Sequence, residues 1–313
     1  MTSPLVALTG VTGHVGRRVA HRLAAAGVPL RLVARDPAKA PPIPGADIAA
    51  AAYDDGDAMR RALTGAGAVL FVSGREAADR LEHHRRVVEA AANAGVERVV
   101  YTSFVGAAPD ATFTFARDHF HTENMIRDAG LGFTFLRDSL YLDYVPFLAG
   151  ADGVIRGPAG DGVLAPVSRD DVADVAAAVL LDPAGHTGRT YQLTGPALIS
   201  LADAAAGLSR VTGREVSYLA ETLEDAYASR ASLGAPDWEV AGWVSSYAAI
   251  ASGELAVVTD DVERVAGHPP VGLPEFLGAH PESCQHLAPA SRDEMGHVSI
   301  EPSDGRRSPR SAR

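Results

Sequence analysis

The sequence feature that most constrains the fold is an apolar run at residues 5–9 that meets three glycines spaced three residues apart. Gly10, Gly13 and Gly16 lead into an amphipathic segment, so the pattern predicts a buried strand, a tight turn and a helix. Glycine lets the backbone turn sharply and lets an anion approach the bare chain. The free N–H groups and the positive end of the helix dipole then face that anion. In this strand–turn–helix context, the pattern predicts a dinucleotide site.

Strand and helix patterns alternate through the first half of the chain, which favours an α/β fold. Strands are predicted at residues 5–9, 30–34, 48–53, 68–72, 96–103, 132–137 and 190–194, and helices at 13–26, 57–63, 75–94, 114–129 and 168–181. This order is typical of a doubly wound parallel sheet, the Rossmann fold, which binds its ligand across the carboxyl ends of the strands. A Ser168-x-x-Asp171 capping box begins the last of these helices.

The predicted organisation has two lobes. An NAD(P)-binding Rossmann domain covers residues 1–199, with an excursion into the second lobe near residues 141–166. A small, helix-rich C-terminal lobe, with one strand at residues 215–219, covers residues 200–282. The polar and aperiodic stretch 283–313, which contains Cys284, is predicted to be a disordered tail.

The composition excludes several kinds of partner. The net charge of −11 argues against nucleic acid, because phosphate neutralisation needs a basic face. No apolar run reaches the length of a membrane span and no signal peptide is recognised, which predicts a cytoplasmic protein with no membrane contact. The single cysteine excludes an intrachain disulfide and a cysteine-cluster metal site, so no metal is predicted.

An arginine follows the second predicted strand, where dinucleotide folds commonly carry an acidic residue. Arg35 can stack on adenine and pair with a 2′-phosphate, which favours NADP over NAD, and Lys39 and Arg17 can add positive charge. In the alternative, Arg35 is solvated and Asp36 binds the ribose. The residues predicted to contact the cofactor are Thr9, Gly10, Thr12, Gly13, His14, Val15, Gly16, Arg35, Lys39, Asp54, Ser73, Gly74 and Ser103.

Several further stretches resemble the NmrA-like atypical short-chain dehydrogenase/reductases, above all their NADPH-dependent quinone-oxidoreductase branch. The resemblance covers residues 3–282 and implies a Rossmann domain, a small C-terminal lobe and a cleft between them. The residues that carry it are Thr9-Gly10-x-x-Gly13-x-x-Gly16, Tyr101-Thr102-Ser103-Phe104, Thr122-Glu123, Gly132-Phe133-Thr134-Phe135-Leu136-Arg137 and Asp170-Asp171-Val172-Ala173.

The better-known relatives use a Tyr-x-x-x-Lys pair after the fifth strand, and this chain lacks that pair. Phe115 stands at the tyrosine-like position and His119 at the lysine-like one. The resemblance implies that His119 either donates a proton to the reduced substrate or holds the ribose, with Glu123 one turn away to orient its ring. Ser103 is predicted to polarise a substrate carbonyl, and Tyr141 to stack on the substrate or act as an acid. In the alternative, each is a packing or surface residue.

Two further expectations concern charged side chains. His83 and His84 lie in the middle of the predicted helix 75–94 and are expected to be solvated. Arg137 ends the sixth predicted strand, Asp138 follows it, and the two are expected to pair across the floor of the cleft.

These observations leave three functions open. The first is an NADPH-dependent reductase of quinones or similar small conjugated carbonyls, whose anionic products need little help from an acid. The second is a non-catalytic NADP(H) sensor that binds a protein partner, which the missing Tyr–Lys pair makes credible. The third is a reductase of one secondary-metabolite intermediate. The expected ligand is a small molecule in each case, and a homodimer is one expected assembly.

Overall fold

The structure, a computed structural model, describes residues 4–287, and a parallel sheet lies at the centre of that range. The strands are β1 (Val6–Leu8), β2 (Leu30–Ala34), β3 (Asp47–Ala50), β4 (Ala68–Phe71), β5 (Arg98–Phe104), β6 (Gly132–Asp138), β7 (Val154–Gly157), β8 (Val163–Leu164), β9 (Arg189–Leu193), β10 (Ile199–Ser200) and β11 (Ser217–Ala220). Seven of them form the central sheet in the order β3-β2-β1-β4-β5-β6-β9, with every pairing parallel. The predicted Rossmann fold is therefore confirmed.

Helices cover both faces of this sheet. The α-helices of the described chain are α1 (His14–Ala25), α2 (Gly56–Leu63), α3 (Arg80–Asn93), α4 (Thr114–Asp128), α5 (Arg169–Leu181), α6 (Pro183–His186), α7 (Leu201–Thr212), α8 (Leu223–Ala231), α9 (Asp237–Ala251), α10 (Asp261–Ala266) and α11 (Leu273–Ala279). Short 3-10 helices lie at Pro37–Lys39, Leu142–Leu148 and Pro281–Leu287. Buried side chains of α1 and α5 pack on one face of the sheet, and those of α2, α3 and α4 pack on the other.

The order of the strands reverses at β1 and β4, which places a crevice at their carboxyl ends. The chain runs outward from β1 through β2 to β3 and then returns to β4 on the other side of β1. Because the loops after β1 and β4 leave this point in opposite directions, the edge between them is where open α/β sheets bind ligands.

The second lobe is assembled from both predicted segments. The excursion after β6 supplies β7, which pairs with β11, and β8, which pairs with β10, so the two segments share one lobe core. Cys284 and Leu287 are buried in that core, so the predicted tail does not hold for residues 283–287, and residues 288–313 of it lie outside the described residues. Within residues 4–287, no helix combines the length and hydropathy that a membrane span needs, and no three potential ligands group around a metal position.

Candidate active site

Packing explains two of the three glycines after β1. Gly10 has a φ of +65°, and a Cβ there would lie 2.6 Å from Cβ of Val72. A Cβ on Gly16 would lie 2.4 Å from the carbonyl oxygen of Gly10, which is backbone and cannot move aside. Glycine at these two positions is therefore required for α1 to approach the turn closely, whether or not a ligand binds.

Packing does not explain the third glycine, Gly13, in the same way. It is the exposed N-cap residue of α1, and its added Cβ would contact only the Gly10 carbonyl oxygen, at 3.3 Å. No side chain of the described chain caps the helix, and no acidic residue lies in its first turn. The first-turn N–H groups thus have no side-chain acceptor among the described residues, which leaves them available to a pyrophosphate. Thr12 and His14 are exposed beside this cradle, whereas the Val15 side chain is buried and leaves only its N–H.

Thr9 ties the two central strands together below the cradle. Its hydroxyl donates to the Leu70 carbonyl at 3.1 Å and accepts from the Val72 N–H at 3.1 Å. The hydroxyl of Tyr53 lies 2.6 Å from both Thr9 Oγ1 and the Val72 carbonyl. These contacts hold β1 against β4 at the crevice, so the geometry favours a structural role for Thr9.

Arg35 lies at the end of β2, where the adenosine half of a dinucleotide is expected. It is exposed, forms no ion pair with any other described residue, and lines a groove of about 600 Å³ that Asp54 also lines. The Asp36 carboxylate accepts a bond from the Ala38 N–H at 3.1 Å and lies 3.8 Å from Lys39 Nζ. Asp36 is thus occupied by its own turn, which favours Arg35 as the residue that selects the nucleotide.

The loop after β4 is fixed by hydrogen bonds to both the N–H and the carbonyl of Gly74. The Gly74 N–H donates to His84 Nε2 at 2.9 Å, and its carbonyl accepts from Arg80 Nε at 3.0 Å. The Ser73 N–H donates to Thr102 Oγ1 at 2.8 Å. The predicted cofactor residues Ser73 and Gly74 therefore lie on a fixed loop at the crevice.

His84 is wholly buried, so the expectation that it is solvated is wrong. Its Nε2 accepts from Gly74, and its Nδ1 lies 2.8 Å from Thr122 Oγ1 on α4. The neighbouring His83 lies on the outer side of α3, 3.3 Å from Asp79. Burial, followed by the nearby Arg80 charge, holds the pKa of His84 well below its usual range.

His119 lies at the centre of a buried polar network. Its exposed fraction is 6%, its Nε2 lies 3.1 Å from Arg80 Nη2, and its Nδ1 lies 2.9 Å from the Tyr101 hydroxyl. A guanidinium only donates, so Nε2 accepts and Nδ1 carries the hydrogen. Burial and the Arg80 charge hold the pKa of His119 well below its usual range. A neutral ring with both nitrogens engaged is poorly suited to donate a proton, so these contacts favour a positioning role.

Sequence reasoning missed Arg80, the buried cation of this network. Arg80 is 4% exposed, and its guanidinium lies beside the lysine-like position through its bond to His119. The signal was present: positions 80, 84, 87, 88 and 91 share one face of a helix, and the last three are Val, Val and Ala. Arg80 and His84 continue the buried stripe of α3, which begins at Arg80 and not at residue 75.

The low pKa of His119 predicts acid sensitivity of the fold. In the unfolded chain a histidine gains its proton near pH 6.5, while buried His119 stays neutral, so stability falls as the pH drops below that value. Replacing His119 with Gln is expected to reduce this slope by up to ~1.4 kcal/mol per pH unit. Urea unfolding of both proteins between about pH 5 and 7 measures it. Identical slopes would show that His119 titrates normally in the folded protein.

The hydroxyl of Ser103 is hydrogen-bonded to a buried carboxylate on α4. Glu123 has no exposed surface and accepts from the Ser103 hydroxyl at 2.7 Å and from Arg137 Nε and Nη2, each at 2.8 Å. The hydrogen of Ser103 is thus directed away from a substrate carbonyl. Glu123 orients Ser103 and Arg137 and not the His119 ring, and the expected Arg137–Asp138 pair is absent because Arg137 binds Glu123.

Tyr141 is the one predicted catalytic residue that lines the apolar cavity of the cleft. Its hydroxyl donates to Asp138 Oδ2 at 2.8 Å, and its ring centroid lies 6.1 Å from that of Tyr144. The cavity has a volume of about 110 Å³ and lies between the end of β6 and the small lobe. Its walls are formed by Leu140, Tyr141, Tyr144, Val145, Leu148, Leu164, Pro166, Ile199, Leu201, Ala204, Ser246, Tyr247 and Ile250.

Comparison with known proteins agrees with this geometry. Residues 10–183 match a family model described as NAD(P)H-binding. The chain belongs to this NAD(P)H-binding family. It is 34% identical to quinone oxidoreductase 2 of Escherichia coli over 282 residues, which cover 87% of this chain and 97% of that protein. The crystal structure of the NADPH-dependent E. coli enzyme with NADPH matches with a TM-score of 0.80 at 33% identity, covering 88% and 99% of the two chains.

Two other relatives have a similar coverage. The chain is 31% identical to an NAD(P)H azoreductase of Xenophilus azovorans, over 88% of this chain and 98% of that one. It is 35% identical to a (4-alkanoyl-5-oxo-2,5-dihydrofuran-3-yl)methyl phosphate reductase of Streptomyces griseus, over 89% and 99%. These relatives confirm the predicted resemblance, and the chain is an NAD(P)H-dependent oxidoreductase. The homodimer and the cellular location stay predictions.

Proposed function

We propose that this protein reduces quinones or similar small conjugated carbonyls with NADPH. The observation that carries the proposal is the apolar cavity beside Tyr141, which lies at the same carboxyl edge of the sheet as the cradle after β1. A flat ring with few polar groups matches walls that are almost entirely aliphatic and aromatic. The relatives named for quinones and for an oxo-dihydrofuran both act on conjugated carbonyl compounds, in agreement with this substrate class.

In this proposal the Rossmann domain binds the cofactor, and residues of both lobes form the substrate cavity. The first-turn N–H groups of α1 hold the pyrophosphate, Arg35 pairs with the 2′-phosphate, and the loop of Ser73 and Gly74 lies along the nicotinamide half. When bound, NADPH supplies a hydride. The apolar walls exclude water and orient the substrate ring, and Tyr141 supplies a hydroxyl at the cavity.

Arg35 is expected to set the preference for NADPH. An arginine–phosphate contact at an exposed site contributes about 1.5–2 kcal/mol, so Arg35→Ala should weaken NADPH binding roughly 10- to 30-fold and leave NADH binding nearly unchanged. Lys39→Ala is the matched control, with a smaller effect expected because Lys39 lies 3.8 Å from the Asp36 carboxylate. Binding titrations with both nucleotides measure the preference, and an unaltered preference in Arg35→Ala would assign the 2′-phosphate to another residue.

The proposed activity is tested by mixing the protein and NADPH with a panel of benzoquinones, naphthoquinones, azo compounds and unsaturated lactones. We expect loss of the reduced-nicotinamide absorbance with the quinones. Turnover confined to an unsaturated lactone would instead support the reductase of one secondary-metabolite intermediate. NADPH binding without consumption in any mixture would support the non-catalytic sensor and contradict the proposal.

A further inference from the structure

The carboxyl group of Asp138 is the most unusual polar group near the cavity. It is 1% exposed at the end of β6, and only one of its oxygens has a partner, the hydroxyl of Tyr141. Its Oδ1 is buried without a hydrogen-bond partner among the described residues, and so is the hydroxyl of the adjacent Ser139. Buried polar atoms are almost always paired, so an unpaired carboxyl oxygen beside a ligand cavity calls for a functional reason.

No positive charge within residues 4–287 balances this carboxyl group. The neighbouring Arg137 is bound to Glu123, and Arg169 on α5 is bound to Asp143 and lies over the Tyr144 ring. Among the described residues, the hydroxyl of Tyr141 is therefore the only hydrogen-bond partner of the Asp138 carboxyl group. The charged and titratable groups nearest to Tyr141 are Asp138, Tyr144 and Arg169. A carboxylate buried without a cation is costly, whereas the neutral acid is not. In accord with this geometry, burial raises the pKa of Asp138 well above its usual range.

We propose that Asp138 is held as a neutral carboxylic acid and serves as the proton reservoir behind Tyr141. The inference rests on the proposed function and deepens it. Together the two residues take the place of the missing Tyr–Lys pair, although Asp138 delivers a proton where the lysine would supply a charge. Tyr141 is the group at the cavity, and Asp138 acts through it.

Two protons move in this relay, one from Tyr141 to the substrate and one from Asp138 to Tyr141. A quinone that has gained a hydride is a hydroquinone monoanion with one phenolate oxygen. In the neutral acid the proton lies on Oδ2, so Asp138 donates to the Tyr141 oxygen across the 2.8 Å contact and the Tyr141 O–H can point at the substrate. The O–H bond of Tyr141 then breaks as its proton passes to the phenolate oxygen, and the carboxylic O–H of Asp138 breaks as its proton passes to the Tyr141 oxygen. The buried carboxylate that remains is protonated again by water when the cleft is open.

The protonation state is measured without turnover. Infrared difference spectra of wild type minus Asp138→Asn at neutral pH are expected to contain the carbonyl stretch of a protonated carboxylic acid. Asp260, whose side chain is 80% exposed, supplies the matched control. The Asp260→Asn protein should keep the protonated-acid band of the wild type, so its difference spectrum should lack that band. An Asp138→Asn difference spectrum that contains only carboxylate bands would overturn the proposal.

The relay is measured by the pH profile of turnover. Asparagine keeps an oxygen that accepts the Tyr141 hydroxyl, so Asp138→Asn should preserve the geometry, lower kcat and remove the fall in kcat at high pH. Tyr141→Phe should lower kcat by roughly tenfold or more and leave the KM for NADPH unchanged. The expected loss is smaller than the usual contribution of a positioned acid, because water can donate the proton in place of Tyr141. If the wild type is active and Asp138→Asn has the same pH profile of kcat, the relay is overturned while the proposed function stands. A wild type that is inactive on every substrate would overturn the proposed function together with the relay.

Discussion

Gly13→Val is expected to abolish useful NADPH binding while the protein stays folded. The variant side chain would occupy the exposed surface at the N-terminus of α1, where the backbone N–H groups have no side-chain cap. Losing two charge-assisted hydrogen bonds to a phosphate costs about 3–5 kcal/mol, which raises the Kd roughly 10³-fold. The φ of −89° and ψ of 175° at Gly13 are extended values that valine adopts readily. The added Cβ would lie 3.3 Å from the Gly10 carbonyl oxygen, a contact that a shift of a few tenths of an ångström relieves, so the protein should stay folded.

Nucleotide fluorescence measures this loss, with circular dichroism to confirm the fold. Gly278→Val is the matched control, since Gly278 is exposed on α11 and an added Cβ meets nothing within 4 Å. The control should bind NADPH as the wild type does. Wild-type affinity in Gly13→Val would show that the pyrophosphate does not lie on the first turn of α1.

Gly16→Ala is expected to destabilise the fold even without nucleotide. The new methyl group would lie 2.4 Å from the Gly10 carbonyl oxygen and 2.9 Å from the Val11 nitrogen, and both are backbone atoms of a turn fixed by β1 and β4. Overpacking against backbone that cannot yield costs about 3 kcal/mol, so the folding equilibrium should fall by roughly 10²-fold.

Urea unfolding of the nucleotide-free protein measures the loss. The control is Gly278→Ala, a change from glycine to alanine in an open helical position, which should stabilise the protein by about 0.5–1 kcal/mol. The two substitutions are chemically identical and should act in opposite directions. Equal stability of Gly16→Ala and the wild type would mean that α1 has room to move away from the turn.

The sheet could be predicted because its signals are local. β4 (Ala68–Phe71) occupies four of the five residues predicted for it, and α5 begins after Ser168, whose hydroxyl accepts from the Asp171 N–H at 2.9 Å. A buried parallel strand is a continuous apolar run and a helix start carries a cap, so both can be identified without knowing their neighbours. The glycines after β1 are also a local signal, because the turn and its predicted ligand site lie within one stretch of chain.

The side chains predicted to be catalytic could not be placed in this way, because their roles depend on partners far along the chain. His119 is bound to Arg80, Ser103 to Glu123 and Arg137 to Glu123, and none of these pairings follows from helix or strand spacing alone. Periodicity shows that a polar residue lies on a buried face, as with Arg80 and His84, without saying which group satisfies it. The end of the small lobe shows the same limit, since Cys284 and Leu287 acquire their burial from distant elements.

Isothermal titration calorimetry of the wild-type protein with NADPH and with NADH tests the central claim most directly, because a dinucleotide cradle at the start of α1 underlies both the proposed activity and the proton relay. We predict saturable binding of NADPH that is tighter than that of NADH. Absence of binding heat for both nucleotides across several temperatures would contradict the account.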